Sequence, residues 1–181
     1  NGTTSRSLIF STAASSTGTF TLEADTSVEF LAGATTTLNN LTVSGTAEAP
    51  VWIYSTATGS EHYLVAEGTA SITYANVRDS NACGSAGGGL ETLGGTDVSN
   101  NTCWTFVPLI AISGTLYSDA GSTPITSGKT IKLVIGTTTP VIDTTTSNGS
   151  GNFSFSTTSN NLPTDVLLVA YVDGDSTKAA V

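Results

Sequence analysis

Short alternating segments fill the first part of the chain and limit it to β structure. Between residues 7 and 77, β-branched and aromatic residues alternate with small polar ones, as in GTFTLEA, SVEFLAG and PVWIYST. Glycines mark turns at intervals of about a dozen residues, a spacing typical of sandwiches, barrels and solenoids. Patterns with the 3.6-residue period of a helix are missing. The sequence therefore predicts an all-β fold.

The segments from residue 18 to residue 56 look like variants of one unit, in which a strand, a small polar turn and another strand follow each other. Stacking such units buries one continuous core, and each coil contacts only its neighbours. Parallel stacking also suits ladders of Thr and Asn. We therefore predict a short β-solenoid, similar to a right-handed β-helix, over residues 1–107. No exact repeat period is visible, so an ordinary antiparallel sandwich is the alternative.

The only two cysteines, Cys83 and Cys103, lie on either side of a glycine-rich loop. Their isolation favours a single disulfide, which would close the loop and stabilise the fold by about 3 kcal/mol on chain-entropy grounds. Free buried cysteines are the alternative. A metal pair is disfavoured, because there is no CxxC motif and His62 is the single histidine. A disulfide at this position implies an oxidising compartment.

The charge of the chain excludes several classes of partner. Charged residues make up 10 % of the sequence, only five residues are Lys or Arg, and the net charge is −9. Nucleic acid needs clustered basic side chains for its phosphates, so it is not expected as a partner. An apolar run of about 20 residues is also missing, so no membrane span is expected in this segment. Together with the oxidising compartment that a disulfide implies, this favours an extracellular or cell-surface location.

No catalytic constellation is visible in the sequence. The acidic residues of the first part are scattered, and the pair Glu23 and Asp25 reads better as solvated turn charges than as an acid groove. His62 is expected at the surface, and no GxSxG motif surrounds a serine. Asp173 and Asp175 match only part of a calcium loop. We therefore expect neither an enzyme nor a cofactor or metal site.

Three stretches, LNNLTVSGTAEAPVWIYST, EHYLVAEGTASITYANVRDSNA and NNTCWTF, together resemble a recurrent module of large bacterial secreted and cell-surface proteins. The resemblance covers about residues 18–106 and implies a right-handed β-helix of the adhesin or pectin-lyase-like type. The chain departs from this module at Cys83 and Cys103, where small polar residues would be expected. An extracellular scaffold is what the resemblance implies, and it does not by itself imply an enzyme.

The aromatic residues that follow the second cysteine are expected to close the core of the first domain. Trp104 and Phe106 share one face of the short segment WTF. In the module that this stretch resembles, a Trp shortly after an Asn pair has this role. We predict that both rings pack against Ile72 and Tyr74.

Residues 108–181 read as a second, smaller β-domain, in which Pro108 keeps the joint extended. The stretches ISGTLYSDAG, KTIKLVI, SNGSGNFSF and DVLLVAYVDGD resemble the transthyretin-like or Cna-B-like β-sandwich of bacterial surface stalks. The resemblance implies an Ig-like sandwich that lacks its last strand. The predicted strands are Ile112–Ser118, Thr130–Ile135, Val141–Thr146, Asn152–Ser156 and Val166–Val172, with Thr177–Val181 as the start of a sixth.

Three classes of function fit these observations. Few charges and many Thr, Ser and Gly residues suit a structural subunit or stalk segment of an extracellular fibre, which is the first expectation. The alternative is an adhesin-type module that binds glycan or protein, with Trp52, Tyr54 and Tyr63 as a candidate glycan platform. A degraded carbohydrate-active β-helix is the third, and it would need a groove of clustered acids. Exposed aromatic side chains would favour the binding module.

The N-terminal segment is a candidate for assembly between copies of the chain. Ser7, Leu8, Ile9 and Phe10 form a short strand for which the sequence shows no evident partner. A sandwich without its last strand exposes an edge that another strand can complete. Head-to-tail strand donation would then produce a homopolymer. The alternative is that the chain is part of a longer protein, in which neighbouring domains are the partners.

Overall fold

The structure is a computed structural model that describes residues 6–119, 121, 123–126, 128–136, 141–158, 162 and 165–174. The chain divides into two compact units, Asn1–Pro108 and Leu109–Val181. Within the described ranges, all regular structure is β except for one short 3-10 turn at Ala86–Gly88. The prediction of an all-β fold is confirmed.

The described part of the first unit contains eleven strands. Alternation drives their formation: in the third strand, for example, Thr26, Val28 and Phe30 are buried, whereas Ser27 and Glu29 between them face outward. The strands are β1 (Arg6–Phe10), β2 (Ala14–Glu23), β3 (Thr26–Phe30), β4 (Thr35–Ser44), β5 (Val51–Ser55), β6 (His62–Ala66), β7 (Ala70–Thr73), β8 (Ala75–Asn81), β9 (Leu90–Leu93), β10 (Thr96–Thr102) and β11 (Trp104–Val107).

All pairings between these strands are parallel, and they form three stacks. The first stack contains β1, β3, β5, β8 and β10. The second contains the first halves of β2 and β4, and β6, and the third contains the second halves of β2 and β4, β7, β9 and β11. Arg6 pairs with Thr26, Ser27 with Trp52 and Leu41 with Ala70, so these coils take 20, 25 and 29 residues, within the range of known solenoid repeats. The prediction of a solenoid-like arrangement is confirmed, and an antiparallel sandwich is excluded for this unit.

Inward-facing residues of successive coils lie above one another and form the core. One such row in the first stack runs through Val28, Ile53 and Val77, all of them fully buried. A second row, in the third stack, contains Val43 and Ile72. Complete burial of such side chains stabilises the fold by about 1.5 to 3 kcal/mol each. The core is therefore continuous from coil to coil, although no exact sequence period exists.

A disulfide joins Cys83, which follows β8, to Cys103, which lies between β10 and β11, and their Cα atoms are 5.0 Å apart. The predicted disulfide is thus confirmed. The chain passes close to itself beside the bridge, because a Cβ atom on Gly89 would collide with the backbone oxygen of Cys103. The glycine-rich loop therefore allows a close approach of two backbone segments, and the bridge holds them together.

The N-terminal strand has a partner within its own unit. β1 pairs in parallel with β3, from Arg6 opposite Thr26 to Phe10 opposite Phe30. The Phe10 ring stacks on the Phe30 ring with centroids 4.9 Å apart. The expectation that Ser7–Phe10 lacks a partner was wrong, because the parallel register lets Leu8 and Phe10 continue the inward rows of the next coil. Donation of this strand to another copy stays a prediction.

Trp104 and Phe106 are half-buried and pack against the core of the first unit. Their ring centroids are 6.1 Å apart, and the Trp104 indole nitrogen donates a hydrogen bond of 3.1 Å to the Ser80 hydroxyl. In the parallel register Trp104 lies opposite Leu90, on β9. The expected packing against the core is therefore present, but β9 separates the strand that carries these rings from the strand of Ile72.

The second unit contains antiparallel strands in two sheets. β12 (Leu109–Thr115) pairs with β15 (Asn152–Thr158), and β13 (Thr130–Ile135) lies between β14 (Val141–Thr146) and β16 (Leu168–Val172). β13 and β14 have the predicted bounds, whereas β12 begins earlier and β16 later than expected. The predicted strand at Thr177–Val181 lies outside the described residues.

A compact apolar cluster holds the second unit together. Its buried members come from β13 and β15 and from the residue after β12, and they are Leu116, Ile131, Leu133, Ile135, Phe153 and Phe155. The Phe153 and Phe155 rings contact each other edge to face at 5.9 Å.

At the surface, Lys132 Nζ lies 3.0 Å from Asp173 Oδ2, and this hydrogen bond raises the pKa of Lys132.

Candidate ligand-binding cleft

Two aromatic side chains face outward from one strand of the solenoid. In β5, Val51, Ile53 and Ser55 are buried, so Trp52 and Tyr54 project from the opposite face of the same strand. The Trp52 side chain is 44 % exposed, which is unusual for so large an apolar group. This exposure leaves the indole open on the outer face of the first stack.

The register of the stack explains why the indole is open. Trp52 lies opposite Ser27 on β3 and Asn76 on β8, and both neighbours are short polar residues. Adjacent strands are about 4.8 Å apart, so only long side chains could cover the ring from these positions. Tyr54 has longer neighbours, Glu29 and Arg78, and is half-buried.

Trp52 and Tyr54 line a cleft of about 600 Å³, a size suited to a small ligand. Its wall is formed by the turns before β3 and β5 and by the outer face of β3, β5 and β8. The lining residues are Asp25, Thr26, Ser27, Glu48, Ala49, Pro50, Trp52, Tyr54 and Arg78.

The wall that carries Glu48 is a tight turn with its own hydrogen bonds. The Thr46 amide donates to the Ala49 carbonyl oxygen, and the Ala49 amide donates to the Thr46 hydroxyl, each at 3.1 Å. The chain enters this turn at Gly45, where a Cβ atom would come within 2.6 Å of the Tyr74 carbonyl oxygen. The turn is thus held against the next coil, and its residue Glu48 is one of those that line the cleft.

Arg78 is the cation of the cleft, and two contacts hold it in place. Its guanidinium carbon lies 5.4 Å from the centroid of the Tyr54 ring, a cation–π contact. Its Nε atom lies 3.2 Å from Asp79 Oδ2, an ion pair without the alignment of a hydrogen bond. Asp79 is buried, and its Oδ1 atom accepts a 2.8 Å hydrogen bond from the side-chain amide of Asn100. These contacts restrain the guanidinium beside the Tyr54 ring.

The three aromatic residues of the candidate glycan platform do not lie together in the structure. Trp52 and Tyr54 line the same cleft, whereas Tyr63 lies on β6 and is not among its lining residues. Tyr63 is nevertheless exposed to a similar degree, 42 %. It is therefore a natural control for Trp52 in binding experiments.

His62 was expected at the surface, and that expectation was wrong. The side chain is fully buried and stacks on Phe30 with ring centroids 4.7 Å apart. Neither ring nitrogen has a hydrogen-bond partner among the described residues. Burial lowers the pKa of His62 to about 4, although the negative charges of Asp79 and Glu61 partly oppose this. His62 is thus a neutral core residue at physiological pH.

The sequence did not point to Asp25, Glu48 or Arg78 as cleft residues. Glu23 and Asp25 were interpreted together as turn charges, but only Asp25 lines the cleft. Glu23 instead lies 3.5 Å from Arg6 in an exposed ion pair. Tyr54 and Arg78 both point outward, and the register makes them neighbours on adjacent strands. This pairing would have identified the cleft, but the register cannot be read from the sequence.

No group of three or more His, Cys, Asp or Glu side chains in the described ranges is placed to hold a metal ion. Among these same residues no helix has the length and apolar character needed to cross a membrane.

Comparisons with protein-family models, curated proteins and solved structures find no match to this chain. The resemblances to adhesin-type β-helices and to transthyretin-like sandwiches therefore depend on the sequence motifs described above, together with the solenoid-like fold of the first unit.

Proposed function

We propose that this chain is a glycan-binding module of a secreted or cell-surface protein, and that the cleft beside Trp52 and Tyr54 is its binding site. The observation that carries the proposal is the exposed Trp52 indole in a cleft that also presents carboxylates and a fixed guanidinium. Sugars offer apolar C–H faces and many hydroxyl groups, and this cleft provides a partner for each.

The chemistry of such binding follows from the lining residues. An indole face can pack against the C–H face of a pyranose ring, which buries apolar surface from both sides. Carboxylates such as Glu48 accept hydrogen bonds from sugar hydroxyls, and bonds to a charged group are stronger than neutral ones. Arg78 is held in place before a ligand arrives, so little conformational entropy is lost at this side chain on binding.

The extracellular location is part of the proposal. The Cys83–Cys103 disulfide supports it, because such bonds persist in oxidising compartments. The finer assignments, an adhesin-type β-helix followed by an Ig-like or transthyretin-like sandwich, fit the parallel solenoid of the first unit and the antiparallel sheets of the second. In this arrangement the solenoid presents the binding surface and the second unit serves as a spacer.

Isothermal titration calorimetry with a panel of oligosaccharides tests this function. We expect one class of glycan to bind and to cover the Trp52 ring. Trp52→Ala should therefore weaken that binding by about tenfold or more, as for aromatic anchors that become buried in a complex. Tyr63→Ala removes an equally exposed aromatic residue outside the cleft and is expected to bind like the wild type. Equal losses in both variants, or binding that is unaffected by Trp52→Ala, would contradict the proposal.

A structural subunit of an extracellular fibre is the second candidate function. The parallel stacking and the disulfide favour it, because both suit a rigid spacer. Strand donation is its weakest element, because β1 would have to leave β3 and expose Phe30 before it could enter another copy. Sedimentation of the wild type and of a chain without residues 1–10 tests it: only strand donation predicts polymers that depend on these residues.

A further inference from the structure

The charges around the cleft determine which glycans it can accept. Asp25 and Glu48 both line the cleft, and Arg78 is its one lining cation. Glu29 lies opposite Tyr54 in the register but is not among the lining residues. Acidic side chains therefore outnumber basic ones, in a chain whose net charge is already −9.

Both arginines near the cleft, Arg6 and Arg78, form ion pairs with acidic residues that do not line it. Arg78 is paired with the buried Asp79, at 3.2 Å. Arg6 lies near the turn of Asp25 through a backbone hydrogen bond, but its side chain faces Glu23 at 3.5 Å. Glu48 has no ion pair with a Lys or Arg in the part of the chain that the structure describes. The Glu48 carboxylate therefore keeps its negative charge at the cleft, and we expect it to repel an anionic sugar.

An open indole beside carboxylates also favours a cationic group. Ammonium ions are attracted to the face of a Trp ring, and carboxylates add charge-assisted hydrogen bonds. A protonated amino sugar combines such an ammonium group with the C–H face that stacks on the indole. We propose that the glycan bound in this cleft carries free amino groups, as in oligomers of glucosamine. This inference rests on the proposed glycan-binding function and specifies its ligand class.

Three oligosaccharides of equal length separate the possibilities. The first is a β-1,4-linked glucosamine oligomer, the second is its N-acetylated counterpart, which has the same backbone but no charge, and the third is a galacturonic acid oligomer, which is anionic. Binding is measured by calorimetry near pH 6, where sugar amines are protonated and carboxylates remain ionised. We expect the glucosamine oligomer to bind about tenfold more tightly than its N-acetylated counterpart, and the anionic oligomer not to bind.

Carboxylate variants connect this preference to the cleft. Glu48→Gln keeps the size of the side chain and removes its charge, so we expect it to reduce the preference for the amine by about threefold. Glu91→Gln makes the same change at an exposed residue outside the cleft and is the matched control. The preference of the wild type should also weaken as salt is added, because salt screens exposed charges.

The outcomes distinguish the inference from the function on which it depends. Equal or tighter binding of the N-acetylated oligomer, lost in Trp52→Ala, would overturn the amine preference and leave glycan binding standing. Tighter binding of the galacturonic acid oligomer would overturn it in the same way. If none of the three oligomers binds, the amine inference fails, and the oligosaccharide panel then decides whether the cleft binds another class of glycan. An equal effect of Glu48→Gln and Glu91→Gln would show a general charge effect and overturn the assignment to the cleft.

Discussion

The imidazole of His62 lies parallel to the ring of Phe30 inside the solenoid, with centroids 4.7 Å apart and an interplanar angle of 23°. His62 is fully buried there, and its ring nitrogens have no hydrogen-bond partner within the described structure. Protonation would place a charge in an apolar core without a hydrogen-bond acceptor, which is costly. This pair therefore makes the fold sensitive to acid.

The stability of the protein should fall between pH 6.5 and pH 4. The pKa of His62 is about 4 in the folded state, against 6.5 for an unperturbed histidine. The unfolded chain therefore binds a proton first, so the contribution of neutral His62 is complete above pH 6.5 and is lost as the pH falls toward 4. The loss should reach about 3 kcal/mol, measured by urea unfolding across this range.

A His62→Phe variant isolates this effect from any other effect of acid on the fold. Phenylalanine can stack on Phe30 and cannot be protonated, so the difference in stability between variant and wild type should grow as the pH falls. A difference that stays constant from pH 7 to pH 4 would show that His62 does not cause the acid sensitivity.

Removal of the disulfide should destabilise the first unit without changing its fold. The double variant Cys83→Ser, Cys103→Ser frees a loop of about 20 residues and should cost about 3 kcal/mol on chain-entropy grounds. Reduction of the wild type should give the same loss in urea unfolding. If the reduced protein were as stable as the oxidised one, the contacts around Gly89 alone would hold the loop.

Gly89 should tolerate no side chain, because a Cβ atom would meet the Cys103 backbone oxygen. We expect Gly89→Ala to lower the free energy of unfolding by about 1 to 3 kcal/mol, as in other overpacked sites. Gly18→Ala is the control, since nothing lies within 4 Å of a Cβ atom at that position. Equal melting temperatures for the two variants would argue against the close approach at Gly89.

Trp104 should contribute through both its ring and its indole nitrogen. Trp104→Phe keeps an aromatic ring on the core but loses the hydrogen bond to Ser80, which should cost about 1 kcal/mol. Trp104→Ala also removes the packing, and because the ring is only half-buried we expect a loss of about 2 to 3 kcal/mol. Unchanged stability of the alanine variant in chemical denaturation would show that Trp104 does not close the core.

Local pattern was enough to predict the strands but not their neighbours. The alternation in TIKLVI and the β-branched residues of VIDTTT placed β13 and β14 with the bounds that the structure has, because both signals are local properties of the sequence. The disulfide could also be inferred, since Cys83 and Cys103 had no other partners. Pairing between coils depends on turn lengths that vary along the chain, so the contact of Arg78 with Tyr54 was not visible in the sequence.

Two errors have the same physical origin. His62 follows Glu61 at the start of a strand and resembles a surface residue, but the coil places it over Phe30. The strand at Ser7–Phe10 appeared to lack a partner, because its partner β3 lies beyond the whole length of β2. In both cases a contact between residues distant in sequence, which local pattern does not encode, determined the outcome.

The most direct test of the proposed binding site uses the two tryptophans of the chain. Each gives one indole N–H signal in a nitrogen–proton NMR spectrum, and Trp104 serves as an internal reference because its indole is hydrogen-bonded to Ser80. During titration with the glucosamine oligomer and its N-acetylated counterpart, the account predicts a saturable shift of the Trp52 signal and no shift for Trp104. If the Trp52 signal stays unchanged with both oligomers, the cleft is not a site for these glycans and the central claim is contradicted.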